Sequence, residues 1–238
     1  MAEHDRQSVL EELLDVLLGD WDPEVFLAGA AEAAASRLGL AAPGGCALAV
    51  NRSRRPLLSA RSAGLAAEAA GFGPGSPAGT VLGGGPDAVV PDVRAEQRWS
   101  AVAGAGAGAA GVRSVAAVAL PLAGERGVLA CYSDRPNSFG PLETGTVRGF
   151  AATAAKPLRL ALLLDMQTAK AANLQAALES RTVVDLAAGI IMGQNGCSQQ
   201  AAIDILRSVS NSRNIKIRNV AAGVVAAVSD RVDTHFDE

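Results

Sequence analysis

Apolar residues recur at helical spacing near the start of the chain, at Val9, Leu10, Leu13, Leu14 and Leu17, and predict a helix over residues 9–18. Asp22-Pro23 supplies an N-cap and a first-turn proline for a second helix that reaches about Leu38. The pattern then changes. Residues 46–50 and 57–60 are short apolar runs joined by the polar stretch 51–56, which predicts a β-hairpin. Residues 71–79, rich in Gly and Pro, predict a loop, and residues 89–93 a short strand. Residues 112–120 and 128–132 predict a second hairpin around the turn Gly124-Glu125-Arg126-Gly127. Pro141 opens a long helical stretch. Hairpin, crossover, second hairpin and helix together make an α+β domain around an antiparallel sheet.

The second half carries only helical signals. Leu160, Leu164, Gln167, Ala171, Leu174 and Leu178 recur at steps of four and three, a heptad seam that predicts a coiled-coil homodimer, with Gln167 as a polar position that fixes register. A single amphipathic helix packed on its own domain is the other explanation of this spacing. Asn195-Gly196 stops that helix. Ser198 caps a second helix with Ala201, Ala202, Ile205, Leu206 and Val209 facing inward, and residues 211–214 break it. A third helix takes Val220, Val224, Val225 and Val228 inward. Three such helices close only a small core.

Composition narrows the chemistry. The 238 residues are 49% hydrophobic and 19% charged with a formal net charge of −3, which excludes a disordered chain. Aromatics are 3%, so the core is built from aliphatics. Three cysteines, Cys46, Cys131 and Cys197, do not make a disulfide framework and fit buried apolar thiols in a reducing compartment. The start Met1-Ala2-Glu3-His4-Asp5 is acidic where a signal peptide is basic, and no apolar run approaches the ~20 residues of a membrane span. These features predict a cytoplasmic protein without a membrane partner. The two histidines, His4 and His235, stand near the termini, so no internal histidine serves zinc, haem or a general base. No metal, cofactor or catalytic residue is expected, and the chain reads as a non-enzyme. Residues 106–111 spell G-x-G-x-x-G, but a helix-like segment (99–105) precedes them and a strand follows. That is the reverse of a dinucleotide site and predicts an ordinary loop.

The first half resembles the GAF domains. Val112-Arg113-Ser114-Val115, Ala119-Leu120-Pro121-Leu122 and Gly127-Val128-Leu129-Ala130-Cys131-Tyr132-Ser133 match the family's "G-V-R-S … V-P-L … G-L-N-L-Y-S" signature. Val90-Pro91-Asp92 and Arg98-Trp99 fit its "v-x-D … d-x-R-W" stretch. The resemblance covers roughly residues 20–160 and implies a small-molecule sensor, without naming the ligand. Cys131 and Trp99 read as core residues.

The second half is similar to the ANTAR domains. The matching residues are Leu178-Glu179-Ser180-Arg181, Ala187-Ala188-Gly189-Ile190-Ile191-Met192, Ala201, Leu206-Arg207, Ser210, and Arg213-Asn214-Ile215-Lys216-Ile217-Arg218 with Val220-Ala221. They follow the pattern "S-R … A-K-G-I-L-M … S-x-x-x-A … L-R-x-x-S … N-x-K-L-R-D-V-A" without a gap. The chain departs from it at Ala188, where many members carry Lys, at Gly193-Gln194, at Gln199-Gln200 and at Asn219. The resemblance implies a signal-responsive, RNA-binding regulator that binds paired hairpins in nascent leader transcripts and prevents transcription termination. The RNA-binding set it implies is Arg181, Ala188, Gly189, Met192, Arg207, Arg213, Asn214, Lys216, Arg218 and Asn219. Charge points the same way. Residues 178–231 hold six basic and four acidic residues, net +2 against −5 elsewhere, and every charge between Asp204 and Asp230 is positive. No Phe, Tyr or Trp occurs there, which excludes an aromatic base-stacking platform. The expected layout is a GAF-like sensor (1–158), a coiled-coil linker helix (159–177), an all-α, three-helix ANTAR-like domain (178–232) and a tail (233–238). A sensor or scaffold whose C-terminal helices only dimerise, and a DNA-binding helix-turn-helix, are the alternatives. A third helix almost without charge is poorly suited to a major groove.

Overall fold

The computed structural model describes residues 3–19, 21–53, 55–99 and 110–232. The helix-like segment 100–105, most of the G-x-G-x-x-G motif, the side chain of His4, and His235 lie outside the described residues. The chain divides into two compact units, Met1–Met166 and Gln167–Glu238.

The first unit begins with helices α1 (Glu3–Gly19) and α2 (Pro23–Arg37). The Asp22 carboxylate caps α2 by accepting the Glu24 backbone N–H at 2.7 Å, and Pro23 occupies the first turn, as the Asp-Pro pair predicts. Strands β1 (Gly45–Asn51) and β2 (Leu58–Arg61), helix α3 (Pro77–Leu82), and strands β3 (Ala88–Val90), β4 (Ser114–Leu120) and β5 (Arg126–Ser133) follow, then the long helix α4 (Pro141–Asn195). The five strands form one antiparallel sheet in the order β2-β1-β5-β4-β3. Both expected hairpins are present. Leu57 stands outside β2 and is exposed.

Side chains alternate between two cores, as strand geometry requires. Cys46, Leu48, Val50, Ala116, Val118, Leu129 and Cys131 face α1, α2 and the first turns of α4, where Phe26, Leu27, Phe150 and Leu158 cover them. Ala47, Ala49, Val115, Ala117, Val128, Ala130 and Tyr132 face α3 and the segment around Leu65 and Ala69. Both faces of the central strands are therefore dry, and their sequences read as unbroken apolar runs.

The structure corrects one expectation on the second face. The Gly/Pro stretch 71–79 is a loop only as far as Ser76, whose hydroxyl caps α3 by accepting the Gly79 N–H at 2.9 Å. Pro77, Ala78 and Gly79 are the first turn of that helix. A Cβ at Gly79 would stand 2.0 Å from the Gly73 carbonyl oxygen, so the glycine there serves a close backbone approach, not a break in structure.

Two motif segments meet where β3 leaves the sheet. Arg113 grips Asp92 through Nε–H to Oδ1 at 3.2 Å and Nη2–H to Oδ2 at 2.7 Å, and Val93 N–H donates to the Arg113 carbonyl at 2.7 Å. Asp92 also accepts the Arg94 N–H at 3.1 Å. The Arg113 guanidinium holds the Asp92 carboxyl below the usual carboxylate range, with the Arg94 N–H adding to the effect.

In the second unit, the C-terminal part of α4, α5 (Gln199–Arg213) and α6 (Ile217–Val232) pack around Ala187, Ala188, Ile191, Ala202, Leu206 and Ala221. Gly196, at φ 62°, ends α4 and donates its N–H to Met192 O at 2.9 Å. Ser198 caps α5 by accepting the Ala201 N–H at 3.3 Å. Helix α5 runs on through Arg213, so the break expected over 211–214 falls instead at 214–216. Ile205 is 41% exposed instead of inward, and Val209, Val220, Val224, Val225 and Val228 are half-buried. Three short helices have too little surface to cover two apolar stripes. Among the described residues no helix is long and apolar enough to cross a membrane.

Replacing Asp92 by Asn should lower the Tm of the protein near neutral pH. Because the folded-state pKa of Asp92 is depressed, its contribution is present above the unfolded carboxylate pKa and is lost as pH falls through the folded value. Thermal unfolding from neutral to strongly acidic pH should show the wild-type and Asp92→Asn curves converging at the acid end.

Candidate functional site

The basic residues expected to act together gather at the turn between α5 and α6. Asn214 ends α5 in the left-handed region, at φ 50° and ψ 42°. Asn tolerates this conformation better than most residues. Two bonds pin the turn that follows: Ile215 N–H donates to Ser210 O at 3.1 Å, and Ser210 Oγ donates to Ile215 O at 2.6 Å. Lys216 O then accepts the N–H groups of Asn219 and Val220, at 2.8 and 3.4 Å, which starts α6. Chain geometry thus places Arg213 at the end of one helix, Lys216 before the next, and Arg218 in its first turn.

Ion pairing separates the cations of this unit. Arg181 lies 3.8 Å from Asp185, and Arg207 lies 3.4 Å from Asp204, each one turn away on its own helix. Arg213, Lys216 and Arg218 are exposed and make no ion pair among the described residues. The first turn of α6 holds no acidic residue, so nothing there offsets the positive end of the helix dipole. Two cations at a positive helix end are mutually unfavourable for folding, and an anion relieves both.

Three depressions surround the turn. A groove of about 600 Å3 between α4, α5 and α6 has Arg213, Ile215 and Asn219 at its polar end and Val209, Val224 and Val228 along its apolar walls. A second, of about 230 Å3, is lined by Glu179, Ser180, Val183, Arg218 and Asn219. A third, of about 340 Å3, is lined by Ser210, Asn211, Asn214, Ile215 and Lys216. Ile215 and Asn219 are each shared by two of them. Arg213, Asn214, Lys216, Arg218 and Asn219 are thereby one continuous surface.

Other expected residues lie elsewhere. Gly189 is exposed on α4 and Met192 is half-buried at the edge of the core. Ala188 is 1% exposed and packs in the core with Ala202 and Leu206. This corrects its assignment to an RNA-facing surface: with one methyl group beyond the backbone, it fills core space and reaches no ligand. Ile215 and the valines of the groove were not among the expected site residues. Their only signal was an apolar count larger than three short helices can bury.

The seam residues are all exposed on α4: Leu160 45%, Leu164 40%, Leu174 64% and Leu178 58%, with Gln167 and Ala171 also open. On the same helix Leu158, Ala161 and Leu162 face the sheet and are buried. In the first unit Trp99 is half-buried against the α3-side core and donates its indole N–H to Thr80 Oγ1 at 3.0 Å. The Arg98 guanidinium stacks 4.2 Å from the Trp99 ring centre and holds the Glu96 carboxyl down to about 2. Burial pushes the Tyr132 phenol well above its usual range.

The family model described as "GAF domain" matches residues 22–157, and the model described as "ANTAR domain" matches residues 172–225. No curated protein matches the chain. Among solved structures, free methionine-R-sulfoxide reductase from Neisseria meningitidis, in complex with its substrate, is 20% identical with a TM-score of 0.44, covering 68% of this chain and 91% of that one. The chromophore-binding domain of a bacteriophytochrome from R. palustris is 10% identical with a TM-score of 0.42, covering 69% of this chain and 62% of that one.

Asn214 offers a test that separates cap from contact. Asn214→Gly should leave stability nearly unchanged, since Gly adopts the left-handed conformation freely, whereas Asn214→Ala should cost about 1 kcal/mol. Denaturant unfolding of the two variants checks this.

Proposed function

Because the chain belongs to the GAF-domain family and carries an ANTAR domain behind it, which makes it a GAF–ANTAR antitermination regulator, we propose that the turn between α5 and α6 binds paired hairpin loops in a nascent leader transcript and so prevents termination. The observation that carries this reading is the set Arg213, Lys216 and Arg218: exposed, without an ion pair among the described residues, and beside the positive end of α6. Phosphates neutralise such a set. Asn214 and Asn219 bring amide donors and acceptors to the same surface, the groups that read an unstacked base edge. Arg181 and Arg207 extend the contact, because exposed pairs are worth little and exchange a carboxylate for a phosphate cheaply. Gly189 and Met192 remain in the proposed set, and Ala188 leaves it.

Residues 1–158 are assigned the sensing role, since GAF domains bind small ligands. Residues 159–177 are assigned to a linker helix, 178–232 to RNA binding and 233–238 to a tail. The exposed seam of Leu160, Leu164, Gln167, Ala171, Leu174 and Leu178 supports a homodimer, because leucines this open on a helix are stabilised by a second copy. A two-fold dimer presents two basic turns to two hairpins.

Substituting Arg213, Lys216 and Arg218 by Ala, singly and together, should weaken binding to a double-hairpin RNA. Each phosphate contact removed should flatten the salt dependence by up to about one unit of slope. A residue that reads a base should instead cost ~1–3 kcal/mol and relax preference at that base. Equal binding by the triple variant at matched salt moves the RNA face elsewhere. A parent that binds no hairpin RNA favours the dimerising scaffold, and one that binds duplex DNA better favours the helix-turn-helix.

Sedimentation should show a dimer of the full chain and a shift towards monomer for Leu174→Asp. A wild-type monomer at tens of micromolar, roughly the range in which a short coiled coil associates, contradicts the seam.

A further inference from the structure

Cys46 and Cys131 lie 85 residues apart in sequence, yet their sulfurs are 3.3 Å apart in the sheet. Both are fully buried, and they are direct partners in the β1–β5 register. Hydrogen bonding on both sides of the pair defines its geometry. The Cys46 N–H donates to Ser62 Oγ at 3.0 Å and its carbonyl accepts the Ser62 N–H at 2.8 Å, so its polar backbone groups point away from β5. On β5, the Ser133 carbonyl accepts the Arg113 N–H at 2.7 Å, towards β4. The two-residue strand repeat points the backbone groups of Cys131 the same way, away from β1. The pair therefore occupies a non-hydrogen-bonded site, where opposed Cα atoms stand about 4.5 Å apart and side chains are closest. That separation lies inside the window a disulfide spans. The sulfurs need to approach by little more than an ångström to bond at about 2.05 Å.

We propose that Cys46 and Cys131 are an oxidisable pair that a hydroperoxide converts to a cross-strand disulfide between β1 and β5. One thiolate attacks the peroxide oxygen and becomes a sulfenic acid, releasing water or an alcohol. The second thiolate then displaces the sulfenic oxygen, which leaves as water, and the S–S bond forms. Two thiols lose two hydrogen atoms in total, and the peroxide is reduced by two electrons. Burial sets the tempo. It pushes the Cys46 thiol up and keeps the thiolate scarce, so the reaction proceeds through openings of the sheet. The same burial shields the finished disulfide from reductants. The pair acts as a slow latch, not as a fast sensor.

The test uses the full chain with Cys197→Ser, which leaves these two thiols alone. The protein is incubated with hydrogen peroxide until hydrogen exchange shows that the β1 and β5 amides have opened. It is then cleared of peroxide, unfolded and alkylated. The expected result is a fall from two alkylatable thiols to none, a mass lower by two hydrogen atoms, and full recovery with dithiothreitol. Peptide mapping of the oxidised wild-type chain should give the same Cys46–Cys131 cross-link, so the outcome does not depend on how the variant folds. The proposal is overturned if both thiols remain alkylatable after the strands have exchanged. Separate sulfinic acids without a cross-link overturn it as well.

Discussion

Covering both faces of β1, β4 and β5 removes nearly every side chain of three strands from water, and the rest of the first unit follows from that demand. A fully buried Val or Leu contributes about 1.5–3 kcal/mol. Three strands so covered need a layer on each side. The α1, α2 and α4 side accepts the large residues, Leu48, Val118 and Leu129. The α3 side presents Ala47, Ala49, Ala117 and Ala130 together with Val115, Val128 and Tyr132. On that side the loop before α3 also folds back on the helix, and the Phe72 and Gly73 carbonyl groups leave Gly79 no room for a Cβ. The Asp92–Arg113 grip belongs to the same scheme, tying the exit of β3 to the entry of β4 where the sheet hands over to irregular chain.

The second unit solves a different problem with far less material. Alanines hold four of the six fully packed positions of its core, which lets the helices approach but stabilises each contact modestly. Half-buried valines remain around a groove, and three cations at one turn make no ion pair among the described residues. Both features make the isolated unit less stable than its length allows. Both suit the proposed function, which needs a surface able to receive a polyanion with unstacked bases.

Much of this architecture is legible in the chain because its signals are local. Asp22-Pro23, Asn195-Gly196 and Ser198 mark helix ends through their own backbone chemistry, and continuous apolar runs mark the two hairpins. Helix α3 was hidden because a six-residue helix carries no periodicity and its Gly79 reads as a breaker. The burial of Ala188 was hidden because a family pattern records which residue type stands at a position, not which way it points. The pairing of Cys46 with Cys131 depends on the register of two distant strands, which no local signal carries. At the site, the cluster of cations was visible, but its division into Arg181 and Arg207, which pair, and Arg213, Lys216 and Arg218, which make no ion pair among the described residues, required the helix faces to be known.

The first turn of α6, bare of acidic residues and flanked by Lys216 and Arg218, couples recognition to the integrity of the fold. A helix that starts against its own dipole begins with a handicap, and any polyanion that settles there removes it. A ligand that binds the folded bundle and not the unfolded chain adds its free energy to that of folding by mass action: about 2.7 kcal/mol when it stands at roughly a hundred times its Kd. For a bundle with so small a core that increment is a large share of the whole. On the proposed function, the transcript would be a partner in folding as well as a target, and the population of intact bundles would follow the amount of RNA available to hold them together.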